Sequence, residues 1–198
     1  MPALRSVLIW ALLGTAVTVP VAIAATSPFL AWRDPIYILA GFSGIVALVL
    51  LLLQPVLAGR MLPGLNPARS YLLHRWIGCG LVLAVVVHVV GLWITSPPDV
   101  IDALLFVSPT PFSAWGVIAM IAIFASAALA WLRRRMNWRP QVWRRAHVAC
   151  GAIVVSGSIV HAVLIEGTMG PLSKSVLCVL VFVATIRAAF ILRIWRFH

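Results

Sequence analysis

Charge is what this sequence has least of. Lys, Arg, Asp and Glu make up 10% of its 198 residues, while 63% are hydrophobic and the mean hydropathy is +1.10. A soluble domain carries roughly a quarter charged residues. These few polar side chains do not cover a water-facing globule, so lipid must face much of the surface. Acidic residues are scarcest, with only Asp34, Asp99, Asp102 and Glu166. No paired carboxylates, hydrolytic triad or phosphate loop is present. The three cysteines, Cys79, Cys150 and Cys178, fall in apolar segments without Cys-x-x-Cys spacing. They read as small buried hydrophobes and leave the redox compartment undetermined.

What the sequence does have is arginine and long apolar runs. The net charge of +11 does not point to nucleic acid, because the arginines stand at the ends of apolar runs and form no basic stripe. Six such runs, at about 6–25, 35–58, 71–95, 113–132, 145–165 and 173–195, each approach the roughly 20 residues needed to span a bilayer. They predict an all-α membrane protein, a single domain over 1–198 built as a six-transmembrane-helix bundle. Turn-rich segments separate the runs, among them 59–64, Ser96-Pro97-Pro98 and 133–140. The first run, with Arg5 before it and Ala22-Ile23-Ala24 near its end, also resembles a signal peptide. Its length favours a retained span.

Charge asymmetry predicts the orientation. Arg5, Arg60, Arg69, Arg133, Arg134, Arg135, Arg139, Arg144, Arg145, Arg193 and Arg196 lie on one side of the alternating spans. All four acidic residues lie on the other, joined only by Arg33 and Lys174. The positive-inside rule then puts both termini in the cytoplasm, with the third and fifth spans running outward from it. The membrane is expected to be the cell (inner) membrane.

Four of the five histidines lie in those two spans. His74 and His88 are 14 residues apart in the third, and His147 and His161 are 14 apart in the fifth. Fourteen residues make nearly four helical turns, so each pair shares a face and is separated by about 21 Å. Because the two spans run parallel, His74 comes level with His147, and His88 with His161. Two imidazoles at a level make a poor closed zinc site, which takes four ligands. A heme needs two axial ligands, and its apolar ring suits a bundle interior. Gly78, Gly91, Gly151 and Gly157 near the histidines are expected to leave room for it. A proton relay is the rival for intramembrane histidines, but the repeated spacing favours heme. His198 is assigned no role.

His-x13-His in the third and fifth spans resembles the ferric reductase transmembrane domain shared with NADPH oxidases. The segments His74-Arg75-Trp76-Ile77-Gly78 through His88, and Trp143-Arg144-Arg145-Ala146-His147 through His161, carry the likeness. A related family is the heme-bearing membrane subunit of the periplasmic methionine sulfoxide reductase system. That subunit has a basic residue at the position of His74, so the full set leans toward the two-heme reductases. The resemblance implies a bis-heme b-type cytochrome, with two hemes b held between the third and fifth helices. In those reductases a flavin- and nicotinamide-binding region usually follows the sixth span. No Gly-x-Gly-x-x-Gly pattern occurs in these 198 residues. The expected donor is a separate flavoprotein or a membrane quinol.

The resulting expectation is electron passage outward. The inner pair His74/His147 feeds the outer pair His88/His161, and the acceptor is a ferric or cupric chelate, oxygen, or a partner protein. A subunit serving a periplasmic methionine sulfoxide reductase-like partner and a heme-free proton-coupled transporter are the alternatives. Arg75, Arg144 and Arg145 beside the inner histidines could pair with heme propionates, dock an acidic donor, or only mark topology. Arg187, about two turns inside the sixth span, could meet an inner propionate or snorkel to the surface. The segment 100–106 between prolines could be an interfacial lid or, preferably, an ordinary connection. Tryptophans such as Trp32, Trp93, Trp131, Trp143 and Trp195 are expected as interfacial anchors.

Overall fold

The computed structural model describes residues 2–133, 135 and 137–192. Arg134, Arg193, Trp195, Arg196 and His198, named above, lie outside the described residues. Among those described there is no strand. The elements are α1 (Pro2–Ala25), a 3-10 turn (Pro28–Leu30), α2 (Pro35–Ala58), α3 (Pro67–Thr95), α4 (Pro97–Leu104), α5 (Pro111–Leu132), α6 (Pro140–Leu164) and α7 (Pro171–Ile191). All but α4 and the 3-10 turn are long and apolar enough to cross a membrane. At about 1.5 Å per residue they run roughly 31 to 44 Å. The chain is thus a multi-pass helical membrane protein.

Proline marks every start. Each element opens on one, where the missing N–H costs no helix bond and the fixed φ suits the first turn. Asp34 and Asn66 cap α2 and α3 with side-chain oxygens that accept from the backbone N–H groups of Ile36 and Arg69. Hydropathy alone starts several spans late, at 71 instead of 67 and at 145 instead of 140. The first turns of α3 and α6 carry Arg69, Ser70, Gln141, Arg144 and Arg145, which are helical without being apolar. The segment expected as a connection after Ser96 begins with the short helix α4. Phe106 leaves it with a positive φ of 58°.

Two antiparallel hairpins, α2–α3 and α5–α6, form the body of the bundle. Helix α7 packs on both α2 and α6, α1 lies against α2 and α7, and α3 touches α5. The core runs through Leu48, Leu51 and Leu52 of α2, Leu81 and Val85 of α3, Ile123 of α5, Val154 and Val155 of α6, and Leu177 and Val181 of α7. Outward-facing residues such as Leu83, Leu172 and Phe182 are more than half exposed. That surface suits hydrocarbon and not water.

Within each hairpin the helices close over a glycine. A Cβ at Gly91 of α3 would lie 2.8 Å from the Ala40 Cβ of α2, and one at Gly157 of α6 would lie 3.0 Å from the Trp115 carbonyl oxygen of α5. These two glycines serve helix–helix contact and not the cofactor room anticipated from sequence. Gly151 does face open space, with no atom within 4 Å of a Cβ placed there, whereas a Cβ at Gly78 would meet the Gln54 side chain of α2 at 3.8 Å, an ordinary contact. Unlike the helices within each hairpin, α3 and α6 do not pack closely on each other.

Candidate functional site: four histidines on two hairpins

All four intramembrane histidines are half-buried, and each reaches back to the preceding helix of its own hairpin. His74 Nδ1 lies 3.2 Å from the Gln54 carbonyl oxygen, and the Gln54 side chain returns a bond to the His74 carbonyl. His88 Nδ1 lies 2.8 Å from the Ala40 carbonyl oxygen. In the second hairpin, His147 Nδ1 lies 3.0 Å from Ser126 Oγ, and His161 Nδ1 lies 2.8 Å from the Phe112 carbonyl oxygen. A carbonyl only accepts, so the Nδ1 of His74, His88 and His161 must carry the proton. Their Nε2 atoms are therefore left with a lone pair.

The partners repeat as the histidines do. Ala40 and Gln54 are 14 residues apart on α2, and Phe112 and Ser126 are 14 apart on α5. Four residues beyond Ala40 and Phe112 stand Gly44 and Gly116, each lying under an outer imidazole. A Cβ at Gly44 would come within 3.0 Å of His88 Nδ1, and one at Gly116 within 2.7 Å of His161 Nδ1. The two hairpins are thus copies of one device, in which a glycine admits the ring and a nearby backbone carbonyl orients it.

Between the hairpins, His74 and His147 approach with ring centroids 6.3 Å apart and planes at 73°. Trp143, one turn before His147, stacks on it at 5.1 Å with an interplanar angle of 11°. The indole N–H of Trp143 donates to the Leu129 carbonyl at 3.0 Å, and the Arg133 guanidinium lies 4.3 Å from its ring centroid. Trp143 is therefore more than the interfacial anchor its position suggests. On the outer level, the Phe112 ring meets His161 edge-on at 5.9 Å. No three His, Cys, Asp or Glu side chains gather into a metal site among the described residues. The donors seen to approach one another between the hairpins are the imidazoles of His74 and His147.

Residues 43–158 match the family model described as ferric reductase like transmembrane component. The chain belongs to this family. The match covers more than half of the sequence, including His74, His88 and His147, with His161 three residues past its end. No curated protein and no solved structure matches significantly. As a ferric reductase-like protein, the chain is a membrane electron-transfer component.

The structure separates the arginines expected near the site. Arg144 precedes His147 by three residues and so shares its side of α6, whereas Arg75 and Arg145 point elsewhere around their helices. All three are exposed. Arg187 is exposed on α7, a helix without histidine, in an apolar groove with Phe182, Val183, Ile186 and Phe190. Sequence reasoning missed Gln54, Ser126, Gly44 and Gly116. Gln54 and Ser126 repeat Ala40 and Phe112 at the 14-residue spacing of the histidines, but no residue type on α2 or α5 draws attention to it, and Gly44 and Gly116 carry no such spacing.

Proposed function

We propose that this ferric reductase-like chain is a bis-heme b-type cytochrome of the cell (inner) membrane. One heme b is held by His74 and His147, and the other by His88 and His161. The observation that carries this reading is the uniform use of Nδ1 for hydrogen bonding, which leaves Nε2 of His74, His88 and His161 for iron, and that of His147 wherever the Ser126 hydroxyl accepts. An outer partner on the second ring nitrogen is the usual arrangement for a metal-bound imidazole. The inner spacing also fits. The inner rings stand 6.3 Å apart centre to centre, close enough that one group between the hairpins would take a nitrogen from each. The loose packing of α3 against α6 suits a flat apolar ring.

Heme bound there supplies a one-electron iron couple at each level. The protein fixes the two levels about 21 Å apart along α3 and α6, and backbone carbonyls hold His74, His88 and His161 in the ligating tautomer. Both termini lie in the cytoplasm under the positive-inside rule, so electrons enter at the His74/His147 end. The donor, a flavoprotein or a quinol, lies outside these 198 residues. The acceptor on the far side is a ferric or cupric chelate, with oxygen or a partner protein as other candidates. Arg144, with Arg75 and Arg145 on the same rim, supplies positive charge for inner propionates or an acidic donor. Arg187 is the more distant candidate.

The test uses sealed vesicles containing the purified, heme-loaded chain, with a ferric chelate trapped inside and an impermeant reductant outside. Reduction of the trapped iron is expected with the intact chain and is expected to fall to the protein-free rate with His88→Ala. Equal rates with and without the intact protein would sink the reading.

A further inference from the structure

The four histidines are not held alike. His74, His88 and His161 each face a backbone carbonyl, which only accepts, while His147 faces the Ser126 hydroxyl, which can accept or donate. A donating hydroxyl would leave the proton on Nε2 and block ligation. The partner of His147 therefore does not by itself fix the tautomer. What fixes the ring is the stack on Trp143, with that indole tied to the Leu129 carbonyl and covered on its ring by Arg133. Among the described residues no ring stacks in this way on His74, His88 or His161. It coincides with the one site where the repeated carbonyl is replaced.

We infer that Ser126 and Trp143 are positioning residues that make His147 the weakest electron donor of the four ligands, and so raise the potential of the inner site. This inference rests on the heme reading given above. A hydroxyl draws less on the Nδ1–H than a carbonyl does, so the His147 ring is less electron-rich and favours the ferric state less. The Arg133 cation, stacked through Trp143, acts in the same direction by favouring the less positive, reduced iron. An inner site of raised potential accepts electrons readily from a mild donor such as a quinol.

The experiment is a redox titration of the purified full chain, followed in the heme absorption bands. The component that disappears with His74→Ala is taken as the inner one. Ser126→Asn, which offers a carbonyl oxygen, is expected to lower the inner midpoint by a factor of about ten in the reduction equilibrium, about 59 mV for one electron. Ser126→Ala is expected to move it the other way, and Ser126→Thr to keep the unmutated value. Trp143→Leu should broaden the inner transition as the ring loses a single orientation, and Trp143→Phe should restore it. The outer midpoint should stay in place throughout. Two hemes bound with an inner midpoint indifferent to Ser126→Asn and Ser126→Ala would overturn this inference and leave the heme reading standing. A shift of the outer component would overturn it equally. A chain that binds no heme in its unmutated form would remove the underlying reading itself.

Discussion

Gly116 and Gly44 decide where two imidazoles sit. At Gly116 the 2.7 Å approach of a Cβ to His161 Cε1 and Nδ1 is shorter than real Cβ contacts, so alanine there must displace the ring. At Gly44 the corresponding approach to His88 is 3.0–3.1 Å, which a small shift relieves. Gly116→Ala is accordingly expected to weaken outer-heme binding on the order of ten- to a hundredfold, the usual cost of disturbing a ligand's support. Gly44→Ala is expected to cost less, as read by heme retained per chain during dilution. Equal retention in both variants would show that neither ring is held by this contact. The histidines were legible in the sequence because 14-residue spacing is a strong pattern in an apolar helix. Their supports were not. Three of the four partner atoms are backbone carbonyls, which no residue type announces, and Ser126 looks like any serine in a membrane helix.

At the scale of the helices, hydropathy found all six spans but misplaced starts where a polar first turn precedes the apolar run, as in Gln141 to Arg145 of α6. Prolines supplied the missing boundary information, since each helix begins on one. The hairpins themselves depend on close contact at Gly91 and Gly157, which a one-dimensional pattern does not distinguish from room left for a ligand. Gly157→Leu would drive a side chain into the Trp115 carbonyl and Ala119, and Gly91→Leu into Ala40. Both should destabilise their hairpins by about 1–3 kcal/mol, typical of overpacking, with Gly91→Leu the worse because its closer approach is to an Ala40 Cβ that moves only with the backbone. Thermal unfolding in detergent micelles measures the difference. No loss of stability in either variant would mean that the helices are not in contact there.

For the whole molecule, the described arginines from Arg60 to Arg145 gather at the ends of the hairpins that bear His74 and His147, and all four acidic residues lie at the opposite end. This polarity, which composition and order already carried, is the basis of the proposed orientation. Cysteines substituted at Arg69 and Arg139 should react with an impermeant thiol reagent only from the cytoplasmic side, and those at Asp99 and Glu166 only from outside. Labelling of all four from one side would contradict the arrangement of spans.

The central claim is that two imidazole pairs hold two hemes, and heme stoichiometry tests it most directly. The purified chain should carry two hemes b, with one lost in each of His74→Ala, His147→Ala, His88→Ala and His161→Ala. The first two variants should lose the same spectral component and the last two the other. A chain without heme, or a heme content unchanged by all four substitutions, would contradict the account.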